Sequence, residues 1–199
     1  MRTIMGREIA EQPAAVAATL DALRPLRSRL AGLGCTRKQV LFVARGSSDN
    51  APVYGRYLLE THAGRLASMA APRVATHYQR RLDLSESLVV SIEHPGQTQE
   101  IVETQSWAKA CGAVTVAISN VEDSPLTQSA DLALVTRAGP ERAVQARKLS
   151  LAGVAIVWLF AGPFFQGKVG QAPGNVLYFA GAALSLAMAL DLAQLSRER

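Results

Sequence analysis

The sequence predicts an α/β protein in which helices cover both faces of a parallel sheet. Residues 39–44, 88–92 and 114–119 form short, nearly all-apolar runs, which is typical of strands that are buried on both faces. Each run is followed by a turn and a segment of helical character, and strands that alternate with helices in this way form parallel sheets. Right-handed crossovers place every strand-to-helix turn on one edge of such a sheet, where ligands bind.

The N-terminal segment is expected to be a helix that Pro25 interrupts. Four apolar residues recur at helical spacing and fall on one face of it: Ile9, Val16, Leu20 and Leu23. The first strand follows at residues 39–44. The turn RGSSDN then leads into a helix over residues 51–63.

The same order of elements repeats in the middle of the chain. The strand at residues 88–92 is followed by the turn EHPG and a helix over residues 97–113. The strand at residues 114–119 is followed by the turn NVED and a short helix. In that helix we expect Ser124 to be the N-cap and Pro125 the first helical residue.

The C-terminal part of the chain is predicted to contain one more strand and then only helices. The strand is expected at residues 131–136, and a long helix is expected to begin near Glu141. A shift to an apolar composition then divides the chain into a domain over residues 1–165 and an apolar helical extension over residues 166–199.

Two uncharged segments of the C-terminal quarter raise the alternative of a membrane hairpin. They cover residues 149–167 and 169–190. Gly162-Pro163 breaks the first segment. The second has only about fifteen continuous helix-forming residues from Val176, fewer than the roughly 20 that span a bilayer. A buried hairpin or a subunit interface is the preferred interpretation, and a membrane-associated hairpin is the alternative.

Composition and charge are those of a globular protein without a nucleic-acid face. The hydrophobic fraction is 49%, the charged fraction is 19% and the net charge is +5. The chain has no run of Lys and Arg interleaved with aromatic residues, so we expect no direct contact with nucleic acid. Cys35 and Cys111 lack metal-site spacing and are expected to be free thiols. With an N-terminal segment that has no apolar signal region, they predict a cytoplasmic protein.

The turn RGSSDN is the first candidate ligand site. Gly46 lets the backbone approach a ligand closely, and Ser47 and Ser48 present hydroxyl groups where the next helix exposes unpaired N–H groups. This combination suits a phosphate group or a sugar hydroxyl. The alternative is that Ser47 or Ser48 is simply the N-cap of the helix.

Five ordered motifs resemble those of sugar isomerase (SIS) domains. They are MGREIAEQPAAV, ARGSSDNAPVYGRYLLE, GQTQEIVE, TVAISNVEDSPLTQSAD and AGPERAV, and the resemblance extends over residues 5–148. The similarity is greatest to the isomerase half of glutamine–fructose-6-phosphate aminotransferases and to related glucosamine-6-phosphate deaminases. It implies a flavodoxin-like three-layer sandwich that binds a sugar phosphate at the strand ends, usually as a homodimer. No metal or organic cofactor is expected.

The resemblance assigns substrate-binding roles to residues of two turns. Gly46, Ser47 and Ser48 match the family's first sugar-contacting turn. The family's phosphate loop reads Ser-Gln-Ser-Gly-(Glu/Gln)-Thr, whereas residues 93–98 of this chain read Glu-His-Pro-Gly-Gln-Thr. Three residues of that loop agree and are the predicted phosphate contacts: Gly96, Gln97 and Thr98.

The first half of the phosphate loop departs from the family pattern. Two hydroxyl-bearing positions hold Glu93 and Pro95, and each lost charge-assisted hydrogen bond is worth about 1.5–3 kcal/mol. A carboxylate about 4 Å from a phosphate charge adds a repulsion of about 4 kcal/mol at an effective dielectric constant near 20. If Glu93 points into the loop, we expect it to satisfy the helix N-terminus itself and to weaken phosphate binding.

A second departure follows the motif AGPE. Val144 and Lys148 match the family pattern and are carried over as substrate contacts, whereas Arg147 replaces a hydroxyl-bearing residue. Lys148 is alternatively a solvated lysine on a helix.

The function expected from the resemblance is binding of a hexose or hexosamine 6-phosphate. An active enzyme would be an isomerising aminotransferase or an aminosugar-phosphate deaminase, with Glu93 and His94 as the acid/base candidates. The other two histidines, His62 and His77, are expected on a helix and in a loop away from the site, so no metal cluster is predicted. The alternative function is a non-catalytic module that senses phosphosugars or serves as a scaffold.

Overall fold

The computed structural model describes residues 4–34 and 36–140 of the chain. These residues contain one five-stranded parallel sheet with the order β2-β1-β3-β4-β5. The strands are β1 (Gln39–Ala44), β2 (Leu66–Met69), β3 (Ser87–Ile92), β4 (Val114–Ser119) and β5 (Leu132–Val135). The helices are α1 (Ile4–Leu23), α2 (Arg27–Gly34), α3 (Asn50–His62), α4 (Pro72–Thr76), α5 (Gln99–Ala110) and α6 (Pro125–Ser129), with 3-10 turns at Arg24–Leu26 and Gly46–Asp49.

The α/β fold predicted from the sequence is confirmed. The predicted strands at residues 39–44 and 114–119 have the observed bounds, and the strand predicted at residues 88–92 begins one residue earlier. The strand predicted at residues 131–136 is shorter by one residue at each end. The helix predicted from Glu141 and the apolar C-terminal helices lie outside the described residues.

One face of the sheet packs against α5. Val43, Val89 and Ala117 from three neighbouring strands form a buried apolar cluster with Ile101 and Ala108 of α5. Side chains alternate between the two faces of a strand, so the intervening residues point to the opposite face. α3 contacts β1 and β2, whereas α1 contacts β5. The sheet is therefore the middle layer of a three-layer sandwich.

The opposite face of the sheet is buried as well. Phe42, Val90 and Val116 lie side by side in the register of three strands and are almost fully buried. Burial of a side chain of this size contributes about 1.5–3 kcal/mol to the free energy of unfolding. The backbone N–H of Arg137 donates to Thr19 Oγ1 at 2.9 Å, which joins α1 to the segment after β5.

Three elements were not predicted from the sequence. α2 resumes the helical path after the 3-10 turn that contains Pro25, and its Leu30 is buried in the core. β2 and α4 are short, and β2 lies at the edge of the sheet, where 65% of the surface of Leu66 is exposed. Within the described residues, no helix is both long enough and apolar enough to cross a membrane. The segments for which a membrane hairpin was considered lie outside those residues.

Candidate functional site

The candidate site lies at the carboxyl edge of the sheet, between β1 and β3. Ala44 at the end of β1 is paired with Ile92 at the end of β3, so the two following turns leave the sheet side by side. The strand order reverses at this place, because the chain continues from β1 outward to β2 and returns on the other side to β3. In open α/β sheets such a switch point forms the ligand crevice. The two predicted ligand turns are thus adjacent on the same edge.

The turn after β1 forms an open corner. Gly46 has a φ of +63°, and a methyl group added there would meet no atom within 4 Å. Ser48 is buried, with 5% of its surface exposed. The N-cap of α3 is Asp49 and not Ser47 or Ser48, and the Asp49 side chain makes no capping hydrogen bond. Because a 3-10 turn at Gly46–Asp49 leads into α3, the alternative that one of these serines caps the start of the helix stays open, and their role as sugar contacts stays a prediction.

The turn after β3 contains a carboxylate that points into the loop. Glu93 Oε2 accepts a hydrogen bond from the backbone N–H of Gln97 at 3.0 Å, and Glu93 Oε1 accepts one from Thr98 Oγ1 at 3.1 Å. Only 9% of the surface of Glu93 is exposed. Glu93 therefore points into the loop, but these two hydrogen bonds come from Gln97 and Thr98, which precede α5, and not from N–H groups of the helix as expected from the sequence.

Thr98 shows how the carboxylate changes the start of α5. Thr98 is the N-cap residue of α5, yet its side chain makes no capping hydrogen bond to the helix. Its hydroxyl group donates to Glu93 instead. A negative charge is stabilised near the N-terminus of a helix, where unpaired N–H groups carry about half a positive charge. Glu93 thus places a negative charge in the loop directly before the N-terminus of α5.

The turn after β4 holds the loop in place. The backbone carbonyl of His94 accepts hydrogen bonds from Ser119 Oγ at 2.9 Å and from the Asn120 N–H at 3.2 Å. Asn120 Oδ1 in turn accepts from Thr136 Oγ1 at 2.8 Å and from the Ala138 N–H at 3.1 Å. The loop is therefore tied through β4 to the end of β5.

Gly96 lies where this loop and the turn after β4 are in closest contact. It has a φ of +66°, and its carbonyl accepts a hydrogen bond from the N–H of Leu126 at 3.0 Å. A Cβ atom at this position would lie 2.5 Å from Ser124 Cβ and 2.9 Å from Ser119 Oγ. Glycine is thus required both by the backbone conformation and by the space.

An ion pair joins the turn after β1 to the first turn of α5. Arg45 Nε and the Arg45 Nη2 atom donate to the two carboxylate oxygens of Glu100 at 3.0 and 3.1 Å. This hydrogen-bonded contact raises the pKa of Arg45 and lowers the pKa of Glu100. The pair was missed in the sequence because its residues are far apart in the chain. The available signal was an arginine directly after β1 and a glutamate in the first turn of α5.

The two acid/base candidates have different surroundings. Glu93 is buried in the loop, whereas His94 is half-buried with its Nε2 atom 3.5 Å from Asn120 Nδ2. Their catalytic roles stay predictions. The predicted substrate contacts Val144 and Lys148 lie outside the described residues. Among the residues that the structure describes, no group of three or more His, Cys, Asp and Glu side chains is placed to hold a metal ion.

The comparisons with known proteins agree with this architecture. Residues 35–161 match the SIS domain family. The chain belongs to the SIS family. Among related proteins, the glutamine–fructose-6-phosphate aminotransferase (isomerizing) of Aeropyrum pernix is 35% identical to this SIS domain over 150 residues, which are 74% of this chain and 24% of that protein. The chain thus spans about a quarter of the length of the curated relatives that it matches.

Two solved structures resemble this SIS domain over most of its length. A candidate phosphosugar isomerase from Silicibacter pomeroyi has a TM-score of 0.80 and 31% identity, over 91% of this chain and 56% of that one. The C-terminal domain of glucosamine-fructose-6-phosphate aminotransferase from Francisella tularensis has a TM-score of 0.75 and 26% identity, over 98% of this chain and 56% of that one. The family predicted from the motifs is therefore confirmed, and the chain is related to sugar-phosphate isomerases and aminotransferases.

Proposed function

We propose that this SIS domain binds a sugar derivative of the hexose or hexosamine 6-phosphate class between β1 and β3. The observation that carries the proposal is the pairing of Ala44 with Ile92, which brings the turn at residues 45–49 next to the loop at residues 93–98. The relatives named for sugar phosphates support the choice of ligand class.

The affinity of this loop for phosphate is expected to be lower than that of a loop with hydroxyl groups. The Gln97 N–H already donates to Glu93, and a hydrogen bond to a charged group is worth about 1.5–3 kcal/mol. A phosphate group at the same place also meets the negative charge of Glu93. At about 4 Å and an effective dielectric constant near 20, that repulsion is about 4 kcal/mol. Tight phosphate binding therefore needs Glu93 to move or to be replaced.

Catalysis is a further proposal on the same site. An active enzyme would be an isomerising sugar-phosphate aminotransferase or an aminosugar-phosphate deaminase, with Glu93 or His94 moving the proton between sugar carbons. A non-catalytic phosphosugar sensor is the second candidate, and the two hydrogen bonds that Glu93 accepts within its own loop favour it. A general base must reach the substrate proton. In this structure the carboxylate is directed to Gln97 and Thr98.

The assembly and the location of the protein are proposed on sequence grounds. The uncharged segments at residues 149–167 and 169–190 suit a homodimer interface. The free, buried thiol of Cys111 suits a reducing compartment such as the cytoplasm.

Calorimetric titration with glucosamine 6-phosphate and fructose 6-phosphate tests the proposed function. We expect saturable binding to the wild type and tighter binding of fructose 6-phosphate to Glu93→Ser. Glu86→Ser is the matched control, because Glu86 directly precedes β3 at the opposite edge of the sheet and forms an exposed ion pair with Lys38. Absence of binding to both the wild type and Glu93→Ser would refute the proposal.

Turnover separates the enzyme from the sensor. Release of ammonia from glucosamine 6-phosphate, or conversion of fructose 6-phosphate in the presence of ammonia, would identify an enzyme. Saturable binding without turnover of either sugar would identify a sensor.

A further inference from the structure

Glu93 is a buried carboxylate that has no cationic partner in the part of the chain that the structure describes. Its two hydrogen bonds come from neutral groups, the N–H of Gln97 and the hydroxyl of Thr98. Within residues 4–34 and 36–140, no ion pair includes this carboxylate. Arg45, the cation of the neighbouring turn, is engaged by both oxygens of Glu100. A buried charge normally has an opposite charge beside it, so this site is one that a cation would stabilise.

The charged residues around the crevice favour a cation as well. Asp49 and Glu100 both act on the charge of Arg45, and Arg73 acts on that of Glu100. Within residues 4–34 and 36–140, Arg45 is thus already matched by carboxylates and offers no unpaired positive charge to a phosphate group. A ligand that brings its own positive charge is instead attracted to the carboxylate of Glu93.

The carboxylate of Glu93 also has hydrogen-bonding capacity left for a ligand. An ionised carboxylate offers about four lone-pair sites, and the two contacts within the loop use two of them. A sugar ammonium group is a triple donor of the right charge, and a hydrogen bond to it is charge-assisted at both ends. A sugar hydroxyl at the same position makes a weaker hydrogen bond, because only the carboxylate is charged.

We propose that Glu93 makes this site selective for sugars that carry a free ammonium group. The proposal rests on the proposed function, because it names the class of sugar that the crevice between β1 and β3 prefers. The amino end of the sugar meets the loop at residues 93–98, and a phosphate group on the ligand lies away from the Gln97 N–H. Glu93 is then a specificity-determining residue, in a loop position that the family fills with a phosphate-binding hydroxyl group.

Calorimetric titration with a matched set of sugars tests this selectivity. The set is glucosamine 6-phosphate, glucose 6-phosphate and N-acetylglucosamine 6-phosphate, at a pH at which the sugar amine is protonated. The first two differ only at the group on carbon 2, and acetylation removes the charge. We expect glucosamine 6-phosphate to bind the wild type at least about tenfold more tightly than the other two, a difference of about 1.4 kcal/mol. Unphosphorylated glucosamine and glucose, compared in the same way, show whether the ammonium preference needs the phosphate group.

Glu93→Gln tests the role of the charge. The amide oxygen can accept from the Gln97 N–H, and the amide NH₂ can donate to the Thr98 hydroxyl, so both loop contacts can be kept. We expect the tenfold preference to fall to about equal affinities in Glu93→Gln and to be unchanged in the control Glu86→Gln.

Three outcomes would overturn the proposal. Equal affinities of the wild type for glucosamine 6-phosphate and glucose 6-phosphate would refute the selectivity and leave the proposed function in place. A preference that persists in Glu93→Gln would assign the selectivity to other residues. Absence of binding of every sugar to the wild type and to Glu93→Ser would refute the proposed function as well.

Discussion

Replacement of Gly96 by alanine is the sharpest test of how the candidate loop is held. The added methyl group would lie 2.5 Å from Ser124 Cβ and 2.9 Å from Ser119 Oγ, and closer still to Ser124 Oγ. Real Cβ atoms do not approach other heavy atoms so closely, so the loop or the turn after β4 must shift. The backbone at Gly96 is also in the left-handed region, with a φ of +66°.

The expected loss of stability has two parts. The left-handed conformation costs a residue with a Cβ atom about 1–2 kcal/mol. Overpacking of a well-packed interior costs about 1–3 kcal/mol more. We therefore expect Gly96→Ala to lower the free energy of unfolding by about 2–5 kcal/mol, a large share of the 5–15 kcal/mol that is typical of a native domain.

Gly64→Ala is the control that separates the two parts. Gly64 has a φ of +60°, and a Cβ atom there would meet no atom within 4 Å. Both substitutions have the same backbone strain and the same effect on the unfolded chain. The difference between them in urea unfolding is therefore the cost of the clash, which is about 1–3 kcal/mol.

A double-mutant cycle with Ser124→Gly identifies the clashing partner. Ser124→Gly removes both Ser124 atoms that lie nearest to the added methyl group and costs only a few tenths of a kcal/mol as an N-cap change. We expect the double variant to recover at least about 1 kcal/mol relative to additivity. Equal losses of stability in Gly96→Ala and Gly64→Ala, together with an additive cycle, would refute the contact between the loop and the turn after β4.

Two further predictions concern ion pairs. Arg45→Ala should raise the pKa of Glu100 toward its ordinary value, which NMR titration can follow. The free energy of unfolding should fall by at most about 1 kcal/mol, because both side chains are partly exposed. An unchanged titration of Glu100 would contradict the ion pair. Burial alone would raise the pKa of Asp131, but hydrogen bonds from Lys109 and Thr115 outweigh it and lower the pKa. Asp131 therefore stabilises the protein above the unfolded carboxyl pKa of about 3.9, and this contribution is lost as the pH falls through the lower folded pKa. In urea unfolding near pH 7, Asp131→Asn should accordingly have a lower free energy of unfolding than the wild type. Near about pH 2 the two proteins should be about equally stable. A difference of the same size at both pH values would contradict the lowered pKa of Asp131.

The elements that the sequence predicts are those with a strong local signal. β1, β3 and β4 are central strands that are largely buried on both faces, so their sequences are mostly apolar. Ser124 and Pro125 predict the start of α6. In the structure, Ser124 is the N-cap of α6, and its side chain accepts a hydrogen bond from the Thr127 N–H. Each of these signals lies within a few neighbouring residues.

The elements that the sequence does not predict depend on distant residues. β2 is a strand because it pairs with β1 from Leu66 to Met69, and its four residues include only one, Ala67, that is fully buried. α2 is held by the burial of Leu30, whereas the preceding Pro25 is a signal for interruption. Such pairings become visible only when the chain is folded.

The candidate site was likewise predicted only in part from the sequence. The turn at residues 45–49 and the loop at residues 93–98 were both found in the sequence, because glycine and hydroxyl-bearing residues follow an apolar strand in each. The sequence did not predict the hydrogen bonds from Ser119 and Asn120 to the carbonyl of His94. It also did not predict the ion pair of Arg45 with Glu100. Both contacts join segments that follow different strands.

The orientation of Glu93 affects how a phosphate group could bind to this loop. The carboxylate of Glu93 is covalently attached to the loop, so it competes with a phosphate ligand at a high effective concentration. For groups joined by short linkers, effective concentrations are in the millimolar range or above. A phosphate group must therefore displace an acceptor that is always present and already hydrogen-bonded to Gln97 and Thr98. If a sugar binds between β1 and β3 as proposed, the sign of the charge in this loop therefore determines which end of the sugar can lie against it.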